Sequence, residues 1–314
     1  MSRTDISAII ATRDRAAMLA HCLDCLCAQT LPPSRYDICV VDNGSTDNTR
    51  EIVEAAVARH PRHRILYIYE PVPGVPRAHN RGLAATDSDF VIFPDDDVRV
   101  PPTWLENFLG HFERQGDKLA VVGGDVMPIW CGKRPAWVSE DMLVFLSATT
   151  GLGHLPRFTT YEECFIEYNC CFRRKSLAAV GNFPEHLGRI GNILTGGQNA
   201  VEAAIKLRGG RALYDPAIII RHIIHADRLT PTWLRRRFFW QGATGQAVRR
   251  YLQRMGGGAA PEALLNLPLA REDWAFADEE TLDGFDMSLH HFQSLGFVLA
   301  LTGIIPVGEK AGGA

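Results

Sequence analysis

Along residues 1–100 the chain alternates between two hydrophobic periods. Ile6 to Ala11, Tyr36 to Val41, Arg64 to Tyr69 and Phe90 to Phe93 read as strands, the second apolar from Ile38 onward. Between them, Arg15 to Gln29, Thr46 to Arg59 and Pro76 to Ala85 read as helices. Ile52, Val53, Ala56 and Val57 share one helical face, and Pro76 is tolerated in a first turn. Strand–helix alternation with apolar strands predicts an α/β fold, a mostly parallel sheet with helices on both faces. Ligands of such sheets bind beyond the carboxyl ends of the strands, so the polar residues that follow each strand carry the interest.

The pattern loosens further on. Pro101 to Gln115 predicts a helix and Leu119 to Val122 a strand, and residues 128–160 predict long loops. Phe165 to Phe172 reads as a strand, Lys175 to Val180 and Asn199 to Leu207 as helices, and Ala217 to Ile224 as a strand. A long helix is expected after Thr230-Pro231. Phe292 to Val307 is largely apolar but broken by Gln293, Ser294 and Thr302, too short and too polar for a membrane span. It reads as a terminal core helix, with an interfacial membrane helix or a dimer contact as alternatives. Residues 1–225 are therefore expected to form one catalytic-type domain and residues 226–314 a mainly helical extension.

Composition changes this picture in two places. The 314 residues are 46% hydrophobic and 22% charged, which excludes a disordered or collagen-like chain. A net charge of −3 argues against a nucleic-acid partner. It nevertheless conceals two opposed blocks: residues 226–254 hold seven Arg against Asp227, and residues 271–286 hold seven acidic residues against Arg271. An anion-binding face survives that cancellation, and peripheral contact with an anionic membrane stays open. Eight cysteines include Cys22-x-x-Cys25, which could mean redox or zinc chemistry. No second Cys pair at zinc spacing follows, and Leu19, Cys22, Leu23 and Leu26 form a helical stripe, so buried helix cysteines are expected. Met1 to Asp5 leads straight into a short apolar run without the parts of a signal peptide, which predicts a cytoplasmic chain with reduced thiols.

The strongest chemical signal is Asp95-Asp96-Asp97, directly after a buried strand. Adjacent carboxylates repel unless solvated or sharing a cation. On extended backbone Asp95 and Asp97 point one way and Asp96 the other, and a turn can bring the pair onto one hard divalent cation that bridges to phosphates. The alternative is a solvated acidic turn. Asp42-Asn43-Gly44-Ser45 ends another strand, where a carboxylate can meet a base or sugar; the same residues also make ordinary turns and caps.

Four ordered segments together resemble family 2 glycosyltransferases. Ala8 to Arg15 resembles the opening strand and turn, and Val40 to Asp47 the Val-Val-Asp-Asp-Gly-Ser-Thr-Asp segment. Gly74 to Gly82 resembles Gly-x-x-x-Ala-Arg-Asn-x-Gly, and Asp95-Asp96-Asp97 the Asp-x-Asp metal motif. The resemblance spans roughly residues 5–240 and thins after residue 125. It implies a GT-A-type, Rossmann-like fold that binds a nucleotide-diphospho-sugar donor. It places Thr12 and Asp14 in the nucleotide pocket, Asp42 on the base and Arg77 near base or diphosphate. Asp95 would approach ribose or metal, with Asp96 also on the donor side. Asp97 would be the principal ligand of Mn2+ or Mg2+, and His222 would reach metal or diphosphate. His222 and His225 are three apart, so a straight strand aims them at opposite faces.

The family's usual acidic pair is replaced by Gln198-Asn199, amides that cannot act as bases. Glu202, one helical turn on, is the replacement base candidate, with Glu140 and Asp141 weaker ones. Arg237 and Trp240, in a basic aromatic stretch, are candidate contacts to acceptor or phosphate. The resemblance thus implies a metal-dependent inverting transferase acting on a glycan, glycolipid or other hydroxyl acceptor, in the cytoplasm or at the inner membrane face. The alternative is a catalytically impaired sugar-nucleotide or glycan-binding protein on the same fold. Nucleotidyl transfer would need a Gly-rich, Lys-bearing triphosphate loop that this sequence lacks.

Overall fold

A computed structural model describes residues 3–140, 142–161, 163–188, 196–256 and 282–301. The expected parallel strands β1 (Ile6–Thr12), β2 (Tyr36–Asp42), β3 (Arg64–Tyr69) and β4 (Phe90–Ile92) lie in the order β3-β2-β1-β4. Alternate side chains feed two cores. Ile9, Cys39 and Val41 face one side, and Ile6, Ala8, Ile10, Ile38 and Val40 face the other. Helices α1 (Ala16–Cys27), α2 (Thr49–Arg59) and α4 (Trp104–Gln115) cover the second face. The stripe Leu19, Cys22, Leu23 and Leu26 is fully buried there, as its spacing predicts. Helices α3 (Val75–Ala85), α6 (Arg174–Ala179) and α7 (Gly197–Leu207) cover the first. At Gly82 a Cβ would stand 2.3 Å from Ile9 Cγ2, so α3 lies on β1 at a distance only glycine permits.

The sheet continues through β8 (Cys170–Arg173), antiparallel to both β4 and β6 (Leu119–Trp130), and then β9 (Arg211–Ile224), parallel to β6. The short strands β5 (Val98–Arg99) and β7 (Arg157–Phe158) pair antiparallel with β9. Six of the nine strands among the described residues thus point one way.

Three sequence readings change. Strand β6 does not end at Val122, because β9 accompanies it to Trp130↔Ile224 across two register shifts. That pairing also moves the start of β9 back to Arg211. The strand read at Phe165 to Phe172 begins only at Cys170, after a 3-10 turn at Glu167–Asn169. The Asn169 side chain explains the shortening: it accepts from Trp104 Nε1 at 2.8 Å and donates to the carbonyls of Asp125 and Ile218 at 2.6 and 2.9 Å. Within the irregular stretch, α5 (Met142–Phe145) and β7 are short exceptions.

Helix α8 (Pro231–Arg254) starts at the Thr230 cap and lends Ala243, Ala247, Val248 and Leu252 to the core beneath α7. Helix α9 (Leu282–Leu301) packs on α8 almost backbone to backbone. A Cβ on Gly242 would stand 1.8 Å from Gln293 O, and one on Gly296 2.0 Å from Phe239 O. Leu289, Phe297 and Ala300 are buried, whereas Leu295, Val298 and Leu301 remain about half exposed. Residues 302–307 of that apolar run, and most of the acidic block at 271–286, lie outside the described residues. No described helix is long and apolar enough to cross a membrane.

Candidate active site

The register Thr12↔Asp42↔Tyr69 brings the ends of β1, β2 and β3 level, and the loops leaving them form a polar crest. Asp42, the last residue of β2, is buried. Its Oδ1 accepts from Ser45 N at 2.8 Å and its Oδ2 from the Tyr67 hydroxyl at 2.8 Å. Asp14 has φ +53° and clasps the next loop, accepting from Thr46 N at 2.7 Å and from Thr46 Oγ1 at 3.0 Å. Those two bonds hold the Asp14 carboxyl below its ordinary range. Asp47 joins two helices: Oδ2 accepts from Ala16 N at the start of α1, and Oδ1 from Thr49 N at the start of α2.

The acidic triplet divides its work. Asp96 turns inward, accepting from Thr12 Oγ1 at 2.7 Å with Arg15 Nε 2.8 Å away. Burial outweighs both partners and pushes its carboxyl up to about 7. Thr12 is therefore engaged with Asp96 rather than presented to the crest. Asp97 is 2% exposed and stands where four basic side chains converge. Arg15 Nη2 lies at 2.7 Å and Arg228 Nη2 at 3.7 Å from Oδ2, with His222 Nε2 3.6 Å from Oδ1 and His225 Nε2 3.5 Å from Oδ2. Burial works against the Arg15 charge, but Asp96 and Asp97 outweigh it and raise the guanidinium. Strand β5 pairs Val98 with His222, and Ile223 N donates to Asp97 O at 3.1 Å, so β9 fixes the turn that carries Asp97.

His222 Nδ1 lies 3.2 Å from the Ser147 carbonyl, which can only accept. With Nδ1 the donor there, Nε2 is left to accept from Arg228 Nη1 at 3.3 Å. The opposite-face reading of His222 and His225 fails because β9 ends at Ile224, and the chain turns at His225 before a 3-10 turn at Ala226–Arg228. Sequence reasoning missed His225 for this reason. It also passed over Arg15 and Arg228, although both sit in segments that stand out for other features. One carboxylate with two imidazoles is a donor set of the kind that binds a divalent cation, although their ligand atoms do not all lie within 4.8 Å of one another.

The candidates around α7 are not brought to the crest in the same way. Gln198 is buried, with Nε2 3.0 Å from Glu202 Oε2 and 3.4 Å from Cys170 Sγ. Glu202 is fully buried; Lys206 Nζ lies 2.7 Å from Oε1, and Phe165 N donates to Oε2 at 3.0 Å. Burial raises its pKa. This carboxylate, the replacement base candidate, holds the 165 segment against α7 and has no open side. Glu140 is an exposed partner of Arg134, and Asp141 lies outside the described residues. Arg77 pairs with Glu185 at 2.6 Å, both well exposed. Arg237 donates to Gln241 Oε1 at 2.7 Å, and Trp240 is half-buried against the main core.

Another carboxylate reaches the crest without a signal in the sequence. Glu167 lies in the turn just before β8, whose pairing Ile92↔Cys171 sets that turn beside Pro94-Asp95. It is one-third exposed, 3.2 Å from Nδ1 of buried His79. The His79 ring packs on Phe93 at 4.6 Å, and neighbouring Tyr168 packs on His222 at 4.8 Å.

The family model described as Glycosyl transferase family 2 matches residues 7–179. Two curated relatives from Haloferax volcanii are similar over part of their length. Glucosyl-dolichyl phosphate glucuronosyltransferase is 27% identical over 57% of this chain and 56% of its own length. Glycosyltransferase AglE is 33% identical over 58% of this chain and 57% of its own. The chain therefore spans somewhat over half the length of these relatives. Among solved structures, mannosyltransferase PcManGT from Pyrobaculum calidifontis, in complex with GDP-Man and Mn2+, aligns with a TM-score of 0.62 at 18% identity. It covers 96% of this chain and 75% of that one. S. aureus TarS with UDP-GlcNAc aligns at 0.56 and 13%, covering 96% and 92%. Both likenesses are of fold.

Proposed function

The chain belongs to glycosyl transferase family 2, and on that premise we propose that it moves a sugar from a nucleotide-diphospho-sugar to an acceptor hydroxyl, with inversion at the anomeric carbon. The observation that carries the reading is the convergence of two imidazoles and two guanidiniums on buried Asp97 at the strand ends. The fold neighbour that holds GDP-Man and Mn2+ supports it.

Asp97, His222 and His225 would hold Mn2+ or Mg2+. When bound, the cation supplies Lewis-acid stabilisation of charge on the departing diphosphate. Arg15 and Arg228 stand beside it as planar donors for phosphate oxygens. Asp42 keeps lone pairs beyond its bonds to Ser45 and Tyr67, and accepts from the base of the donor. Asp14 shapes that pocket through the Thr46 loop, and Asp95 would contact the ribose or the metal. The acceptor oxygen attacks the anomeric carbon while the bond to diphosphate oxygen breaks and its electrons leave with the diphosphate. Glu167 takes the acceptor's proton, and His79 orients that carboxylate. The acceptor is a glycan or glycolipid hydroxyl, met from the side of Arg237 and Trp240, and the basic face of α8 brings the protein to an anionic cytoplasmic membrane surface.

The test is a panel of sugar nucleotides with and without Mn2+, with the product anomer read by NMR. Transfer of one donor with Mn2+ and inverted product supports the proposal; turnover indifferent to metal, or with retained configuration, contradicts it. The second reading, a binding protein without turnover, rests on the buried amide of Gln198. It is favoured if donors bind but no pairing with an acceptor gives product, and if Gln198→Glu creates turnover at unchanged donor affinity.

A further inference from the structure

The strand ends opposite the crest hold a second cluster of ligating side chains. Cys27 closes α1, His60 follows the last residue of α2, and His63 precedes β3. One ligand atom from each lies within 4.8 Å of the other two, the only such group of His, Cys and carboxylate residues among the described residues. All three are partly buried. His63 N donates to His60 O at 2.9 Å, so the two imidazoles are set by one tight turn. His63 Nδ1 is buried and has no hydrogen-bond partner.

We infer that Cys27, His60 and His63 bind a structural Zn2+ ion, independently of the reaction proposed at the crest. The donor set decides the metal. One thiolate and two imidazoles match zinc, whereas Mg2+ and Mn2+ prefer oxygen. Zn–S of about 2.3 Å and Zn–N of about 2.0–2.1 Å in a tetrahedron place ligand atoms roughly 3.3–3.6 Å apart. The cluster needs to contract by at most about 1.5 Å, which side-chain torsions at three element ends supply. Asp24 Oδ1 lies 3.8 Å from His60 Nε2 and is held by Arg59 at 3.1 Å. A carboxylate beside a ligating imidazole fixes its orientation, and a water completes the four ligands.

The position explains what the ion does. Strand β3 is the sheet edge, and every residue in it is only partly buried or exposed. A metal held by α1, the end of α2 and the residue before β3 ties that edge to the two helices above it. Cys22-x-x-Cys25 drew attention to zinc in the sequence, but Cys22 faces the core and is fully buried. The thiol that meets the histidines is Cys27, and its partners come from the next helix–strand connection.

The full chain, stripped by chelator and titrated with Co2+ as the probe, tests this. A thiolate-to-Co2+ charge-transfer band is expected in the wild type and in Asp97→Asn, is displaced by Zn2+, and is lost in Cys27→Ser. Zn2+ is expected to raise the melting temperature of the wild type and not that of a His60→Asn/His63→Asn variant. Cys27→Ser is expected to keep its sugar transfer with Mn2+. Absence of the band in the wild type, its persistence in Cys27→Ser, or a melting shift by Zn2+ that survives loss of both histidines overturns the assignment. The two histidine changes decide the matter even where Cys27→Ser does not fold.

Discussion

Asp97 is nearly inaccessible yet has two guanidiniums and two imidazoles around one carboxylate. A buried charge needs such company, and the two guanidiniums give the place planar donors suited to phosphate oxygens. Glu167 and Glu202 show how environment separates two carboxylates. Glu202 is closed in by Lys206, Gln198 and the Phe165 amide, whereas Glu167 keeps an open side next to His79. Glu167→Gln is expected to lower kcat by about 10²–10⁴-fold with donor affinity unchanged, read by steady-state rates and donor titration. Gln198→Glu is expected not to restore such a variant, because its side chain points into the protein. Asp47→Ala is expected to cost about 1–2 kcal/mol in urea unfolding, since one carboxylate meets the first amides of both α1 and α2. Asp42 and Asp97 were legible in the sequence because each ends or follows an apolar strand. His225 and Glu167 were not, because periodicity does not say where a chain leaves a strand.

The same limit acts on whole elements. Helices α1 to α4 follow their hydrophobic stripes closely, while β6 and β9 run past the segments their own patterns mark. Their length comes from each other: the Asp125↔Ile219 to Trp130↔Ile224 ladder is a long-range pairing that no local window contains. Strand β7 is a two-residue case, held in part by Arg157, which donates to Glu163 through Nη1 at 2.7 Å and Nη2 at 2.5 Å. The bond from Arg157 holds the Glu163 carboxyl down at about 2, against 4.5 for the unperturbed group. A depressed carboxyl stabilises the fold above its unfolded pKa and loses that contribution as pH falls through the folded value. The melting difference between wild type and Glu163→Gln is therefore expected to be constant above about pH 5 and to shrink from about pH 4.5 toward 2. A difference independent of pH over that window would show that the ion pair does not anchor this loop.

At the scale of the molecule, six co-directional strands put their carboxyl ends on one edge, where the loops after β1, β2 and β4 meet the turn after β9. The opposite edge carries the Cys27, His60 and His63 cluster. The α/β plan was legible because the first half repeats strand and helix with few interruptions. The entry of α8 into that core was not, since it goes under α7 through small residues such as Ala243 and Ala247 that carry little hydrophobic signal. This plan makes one claim central: buried Asp97, with His222 and His225, organises a metal-assisted departure of diphosphate. The most direct test is the rate of sugar transfer as a function of Mn2+ for wild type, Asp97→Asn and His225→Ala. A saturable Mn2+ requirement in the wild type is expected, with a loss of at least about a hundredfold in Asp97→Asn at saturating donor and a weakened Mn2+ response in His225→Ala. Transfer that proceeds without Mn2+ and survives Asp97→Asn would contradict it.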